Sequence, residues 1–366
     1  MRTGVANLPL HGGKAPAWLF QRMTKLAGQI VDYLVLEFGP FEVLARLSDP
    51  HWFQAFGCVL GFDWHSSGVT TTVCGAVKEG IKGREGELGL FAAGGKGAAS
   101  HKTPAQILEF GEHHSIARPA DDLVYASKLS AKVDNTAVQD GYQLYHHCFF
   151  FTHDGEWAVV QQGMNEATGW ARRYHWLSSA MPDFVCEPHA AVCSEERGQA
   201  VLNLVAQESE EARRTTALLS TEHPDKLVGE IEKLQSLTLP RHHEVLVSEL
   251  RPESLRRILI KTYERAPQDF RRLLEIAGVG PKTIRALALI SELVYGVKAS
   301  VRDPAKFSFA HGGKDGYPYP VDRANYDRSI QILRKAINKA RIGDRERMEA
   351  IRRLAGIGSQ GSGIRG

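Results

Sequence analysis

The chain has 366 residues, 43% of them hydrophobic and 24% charged, with a formal net charge of +3. That length admits two domains and a sizeable core, and the composition is that of an ordinary globular protein. No apolar run reaches the roughly 18 residues of a membrane span, and the first residues show no basic-then-apolar signal pattern, so a membrane or secreted protein is not expected. The five cysteines, Cys58, Cys74, Cys148, Cys186 and Cys193, are odd in number and form no C-x-x-C pair. They argue against a disulfide scaffold or zinc ribbon and suit a reducing cytoplasm.

Residues 1–60 open with the Gly/Pro-rich "LPLHGGKAPAWLF" and run into a helical pattern, with Pro16 suited to a first helical turn. From about 57 to 190 the segments "GCVLGF", "VTTTVCGAV", "ELGLFAA", "YQLYHHCFFF" and "EWAVVQQG" are rich in β-branched or aromatic residues and read as strands. "THDGEW" carries an Asp-Gly hairpin signal. "TPAQILEFGEHH" and "DDLVYASKLSAKV" read as helices between them. This order predicts a mixed α/β domain with a largely antiparallel or mixed sheet, not a doubly wound one. From Ser194 onward the pattern is helical with short Pro-containing breaks, then a Gly/Pro/aromatic stretch, then a basic helix over 323–341. The expected organisation is a mixed α/β domain over 1–200, an all-α domain over 201–350 and a flexible tail over 351–366.

The charge is unevenly distributed. Residues 251–353 hold 23 Lys/Arg against 12 Asp/Glu, an excess of eleven positive charges, while the rest of the chain carries eight net negative charges. A polyanion-binding surface is therefore expected in the C-terminal third, although a solvated helical face would have the same composition.

Within that third, "LLEIAGVGPKTIRALALI", Leu273 to Ile290, matches a helix-hairpin-helix pattern. Gly278, Val279 and Gly280 permit a tight turn, and Pro281 fits the first position of the second helix. Backbone N–H groups of the turn, with Lys282, Thr283 and Arg285, would then face a phosphate beside the positive end of the helix dipole. Such contacts position DNA without reading its sequence. An ordinary αα-corner has the same punctuation but not the whole Gly-Val-Gly-Pro-Lys-Thr core. The segment also resembles the helix-hairpin-helix DNA glycosylases. That resemblance implies a nucleophilic role for Lys282, with Asp322 or Asp303 as its acidic partner, although the stretch 297–320 departs from the pattern.

In the N-terminal half, Asp63 and His65 in "GFDWHSSGVTTTVCGAV" would share one side of a strand if the strand continues through them. "AKVDNTAVQDGYQLYHH" gathers Lys132, Asp134, Asp140, His146 and His147. Metal-assisted phosphodiester hydrolysis needs hard oxygen ligands, sometimes a histidine, and a lysine near the attacking water. Asp63, Asp134 and Asp140 are the expected ligands of Mg2+ or Mn2+, with His65 or His147 assisting and Lys132 steadying the water or phosphate. His146 and His147 point to opposite sheet faces, so at most one of them serves as a ligand. Asp134 would equally suit a helix end or an Asx turn. "ARRYHWL", with Arg172 and Arg173 among aromatics, suits a nucleic-acid groove or a partly buried strand edge. The Gly-Gly-Lys segments at 12–14, 94–96 and 312–314 do not fit a P-loop.

Taken together, "RTGVANLPLHGGKAPAWLFQRM", "LGFDWHSSGVTTTVCGAVKE", "AKVDNTAVQDGYQLYHH", "QQGMN", "ARRYHWL" and "FAHGGKDGYPYPVDR" resemble the prokaryotic domain-of-unknown-function family number 763 over roughly residues 1–340. The resemblance implies a two-domain archaeal or bacterial protein of a family suspected of DNA-directed nuclease activity, without a catalytic residue list. The expected function is a DNA-binding, divalent-metal-dependent nuclease in DNA repair or processing, cytoplasmic and nucleoid-associated, with a homodimer as a further candidate assembly. The alternatives are a glycosylase with AP lyase activity and a non-enzymatic, architectural DNA-binding protein.

Overall fold

The computed structural model describes residues 16–62, 67–194, 201–234, 252–305 and 323–361. It opens with four helices, α1 (Ala17–Phe38), α2 (Pro40–Ser48), α3 (Pro50–Leu60) and α4 (Gly68–Ile81). Proline supplies the first residue of α2 and of α3, where a missing N–H costs nothing. The Asp49 carboxylate caps α3 by accepting from the N–H groups of His51 and Trp52 at 2.8 and 3.0 Å.

Two expected strands are therefore helices, because "GCVLGF" ends α3 and "VTTTVCGAV" lies within α4. Val69, Val73 and Val77 recur at four-residue spacing and are all buried. Their burial offsets the few tenths of a kcal/mol by which a β-branched residue disfavours a helix. Helix α4 crosses α1 so closely that a Cβ on Gly28 would stand 2.8 Å from the Gly80 carbonyl oxygen. The described segments on either side of Asp63 and His65 are helical, with α3 ending at Leu60 and α4 starting at Gly68. Asp63 and His65 themselves lie outside the described residues.

After the single turn α5 (Glu85–Leu88) comes a five-stranded sheet, antiparallel throughout. It consists of β1 (Leu90–Lys96), β3 (Gln143–Thr152), β4 (Trp157–Asn165), β5 (Trp170–Leu177) and β6 (Ala191–Cys193), in that spatial order. The short β2 (Val138–Gln139) and β7 (Leu202–Asn203) pair separately. The turn expected at "THDGEW" joins β3 to β4, with the Gly155 N–H donating to the Thr152 carbonyl at 2.9 Å.

Both faces of the sheet are covered, which is why strands such as "HCFFF" are apolar at consecutive positions. Cys148, Phe150, Ala158 and Val160 join the core formed with α1–α4. Phe149, Phe151, Trp157, Val159 and Trp176 join the opposite core. That second core is completed by α6 (Thr103–His113), α7 (Ala120–Lys132), α8 (Glu210–Leu219) and α9 (Pro224–Leu234). It also takes in α10 (Pro252–Arg265), α11 (Phe270–Glu275) and α12 (Pro281–Tyr295).

The last helices, α13 (Arg323–Lys339) and α14 (Asp344–Gly361), return to the first core through Leu333, Ile337, Ala350 and Leu354. The packing thus does not follow a division near residue 200. One core mixes residues 91–205 with 212–290, and the other mixes the first 160 residues with the last helices. Of the expected tail, residues 351–361 continue α14, and Leu354 is buried. The basic C-terminal third is split, with α10–α12 against one sheet face and α13–α14 in the core of the other.

Candidate functional site

Helix α7 ends in a π-helical turn, Val133–Ala137, which widens the backbone and leaves Asp134 fully buried beside an exposed Asn135. Facing it is the turn between α11 and α12. Gly278 there has φ +98°, a conformation that L side chains rarely adopt, and Val279 plugs the core without exposure.

Two polar contacts hold this turn against residues 132–139. The Lys132 ammonium donates to the Val279 carbonyl, and the Gln139 amide donates to the Pro281 carbonyl at 3.0 Å. Gly278–Pro281 thereby forms one wall of a cleft of about 570 Å³. Its other walls are Ser100, His101, Thr103 and Pro104, Leu144–His147 at the start of β3, and Ser127, Lys128, Ala131 and Lys132 on α7. Lys128 and His101 are exposed. Lys132 is half-buried, and burial lowers its pKa below that of a solvated lysine.

From the floor of the cleft inward runs a chain of hydrogen bonds. Ser127 Oγ lies 2.8 Å from His147 Nε2, and His147 Nδ1 lies 2.9 Å from Gln161 Oε1. The Gln161 amide nitrogen donates to Asp134 Oδ2 at 2.7 Å. Trp176 Nε1 donates to the same oxygen at 2.9 Å, and His189 Nε2 meets Asp134 Oδ1 at 2.5 Å. The proton positions follow from the carboxylate. Asp134 Oδ2 accepts from the Gln161 NH2, which leaves the Gln161 oxygen facing His147. His147 must then carry its proton on Nδ1, and its Nε2 lone pair accepts from the Ser127 hydroxyl. Burial lowers the His147 pKa, against the upward pull of the Gln161 bond and the Asp134 charge, which favours the neutral ring this pattern needs.

Of the other residues singled out by sequence, Asp140 belongs to a separate buried network. Its Oδ2 accepts from Arg172 and from the Tyr174 hydroxyl, each at 2.7 Å, and its Oδ1 accepts from the Tyr142 N–H at 3.1 Å. Arg172 also donates to Asp303 at 2.7 Å, with both side chains essentially buried. Burial opposes the Arg172 charge, but the two carboxylates more than offset it and raise its pKa. Arg173 is equally buried, 4.4 Å over the Phe53 ring and 2.8 Å from His175 Nε2. "ARRYHWL" is thus interior strand β5, and the structure turns Arg172 and Arg173 away from any surface groove.

In α12, Lys282 is exposed, whereas Thr283 and Arg285 face inward. Arg285 donates to Gln139 Oε1 at 2.6 Å, and burial pulls it down to about 10. Asp303, one candidate acidic partner of Lys282, is engaged by Arg172, and Asp322 lies outside the described residues.

His146, which shares the cleft wall with His147, is 1% exposed and has no hydrogen-bond partner among the described residues on either ring nitrogen. Burial pulls its pKa down to about 3.

The expected divalent ion can be tested against these carboxylates. Both oxygens of Asp134 and both of Asp140 already accept from N–H or O–H donors, which point where a cation would have to sit. Among the described residues, no group of three His, Cys, Asp or Glu side chains converges as ligands. Asp134 and Asp140 do not fit a shared Mg2+ or Mn2+.

Ser127, Gln161 and His189 escape the sequence reading, and Trp176, an aromatic of the groove candidate "ARRYHWL", is instead a buried donor to Asp134. Adjacent glutamines inside the apolar "WAVVQQG" were a usable signal, because a buried amide requires partners. Nothing local marks Ser127 or His189.

The fold and cleft define a mixed α/β protein with an antiparallel sheet between two helical layers and a lysine-bearing cleft over a buried polar chain. The chain belongs to the family described as protein of unknown function DUF763, whose model matches residues 4–321. No curated protein and no solved structure matches the chain. No helix among the described residues is long and apolar enough to cross a membrane.

Proposed function

We propose that the protein binds DNA through its phosphate backbone in the cleft and cleaves it there, as a nuclease of DNA repair or processing. One observation carries this reading: Lys128 and Lys132 share a cleft with the glycine turn that opens the 15-residue helix α12. A helix start of this kind favours an anion, and lysines beside it add neutralising charge. We read the turn as a helix-hairpin-helix element in which Gly278, Gly280 and Lys282 meet the backbone. Thr283 and Arg285 support the turn from inside, and Arg172 and Arg173 take no part. The contacts go to phosphate and sugar, so binding is largely independent of sequence. Asp63 and His65 remain candidate catalytic residues from the sequence. A metal-dependent route through Mg2+ or Mn2+ would have to rest on them rather than on Asp134 and Asp140.

The test is fluorescence anisotropy with single-stranded, bubble and duplex oligonucleotides over a range of salt concentrations, with cleavage followed on gels. The expected result is salt-sensitive binding that weakens in Lys128→Ala/Lys132→Ala, with a salt slope smaller by about 1.4 on single strands and about 1.8 on duplex. Absence of binding, or binding indifferent to both lysines, refutes the reading.

A further inference from the structure

We propose that Ser127 is the nucleophile of phosphodiester cleavage and His147 its general base, so that cleavage passes through a covalent phosphoserine rather than a metal-activated water. This rests on the reading of the cleft as a DNA-backbone site and goes beyond it by assigning the reaction.

Three features of the structure converge. The Ser127 hydroxyl is 2.8 Å from His147 Nε2, within the reach a general base needs. The tautomer is imposed from behind: Asp134 orients Gln161, and Gln161 holds the Nδ1 proton, leaving the Nε2 lone pair toward Ser127. A base aligned by a third group is the general signature of an activated nucleophile. Finally, Ser127 and His147 line the same cleft as Lys128, Lys132 and Gly278. A hydrogen bond made only to satisfy two core side chains requires neither a cleft nor lysines beside it. Lys128 and Lys132 would carry the charge of the non-bridging phosphate oxygens, and the saturated carboxylates of Asp134 and Asp140 explain why the chemistry would not use them as metal ligands.

The steps balance. The Ser127 Oγ–H proton passes to His147 Nε2 as Oγ bonds to phosphorus, and the bond from phosphorus to the leaving nucleoside oxygen breaks. That oxygen takes the proton from His147. A water molecule then adds to phosphorus, giving a proton to Nε2. The phosphorus–Oγ bond breaks, and Ser127 recovers its proton. The sum is phosphodiester plus water giving a phosphomonoester and an alcohol.

The experiment incubates the full chain with a fluorescein-labelled single-stranded oligonucleotide in EDTA, with affinity measured in parallel. Cleavage in EDTA is expected, together with a label that stays on the protein after denaturing quench and maps by mass spectrometry to the Ser127 peptide. Ser127→Ala should lower the cleavage rate by about a thousandfold or more with affinity within about twofold. The near-isosteric Ser127→Cys and the adduct mapping decide the matter if the alanine variant does not fold. Absence of DNA binding by the unaltered protein overturns the cleft reading, and this inference with it. Binding without cleavage in EDTA, cleavage that survives Ser127→Ala, or an adduct elsewhere overturns this inference alone.

Discussion

Replacing Arg172 with methionine separates an interior role from a surface one. Sequence alone suggested a DNA-contacting arginine, and such a residue would change affinity and salt slope but not stability. The structure places its guanidinium between Asp140 and Asp303, 2.7 Å from an oxygen of each, with side-chain exposures of 0%, 0% and 3%. Arg172→Met leaves two buried carboxylates close together without their cation. Breaking a buried ion pair from one side costs about 3–5 kcal/mol, because the remaining charge stays desolvated.

The sign of the pH dependence follows. Burial already raises the Asp140 pKa against the pull of Arg172, and loss of the arginine removes that pull while Asp303 stays beside it. A carboxyl with a folded pKa above its unfolded value of about 3.9 binds its proton more tightly when folded. The deficit of the variant is therefore full above the folded pKa and shrinks as pH falls toward the unfolded one. Urea unfolding followed by tryptophan fluorescence, at several pH values, measures it. A loss under about 1 kcal/mol at pH 7, or weakened DNA binding at unchanged stability, would refute the placement of Arg172.

The other predictions concern the cleft. Lys132→Met should reduce the salt slope of duplex binding by about 0.9 while the protein remains folded, as read by anisotropy and circular dichroism. Gly278→Ala should lower stability by about 1–2 kcal/mol, because φ is +98° there while the nearest atom to an added Cβ is 3.7 Å away, so the cost is backbone strain rather than collision. A thermal melt that does not shift would contradict it. His146 is pulled down to about 3 when folded against about 6.5 unfolded, so its contribution is complete above pH 6.5 and is lost as pH falls toward 3. His146→Phe should reduce the slope of unfolding free energy between pH 4 and 6 by up to about 1.4 kcal/mol per pH unit, and an unchanged slope would count against a neutral buried ring.

Legibility in the sequence depended on how local the controlling physics was. Strands β1, β3 and β4 and the hairpin at 152–157 are readable because their signals are short runs of β-branched and aromatic residues around an Asp-Gly turn, whereas β5 is not, because "ARRYHWL" suits a nucleic-acid groove as well as a strand edge. "VTTTVCGAV" misled because the same residue types also present valines at helical spacing, and the close approach of Gly28 to Gly80 across the α1–α4 crossing is invisible in a linear reading. Lys132, Asp134 and His147 stand out in the sequence by type and proximity. Their partners do not, since Ser127–His147, His147–Gln161 and Asp134–His189 are pairings across the fold.

The mixed α/β class, the hairpin at 152–157, the glycine turn at 278–280 and the excess of positive charge after residue 250 all follow from composition and short-range stereochemistry. Tertiary structure alone decided that the basic third divides between two sides of one sheet, that Arg172 and Asp140 satisfy each other in the interior, and that Ser127 meets His147 beside two lysines. Those outcomes depend on which side chains are desolvated together. A buried polar group must find a partner wherever the fold brings one, and sequence separation carries no information about where that will be.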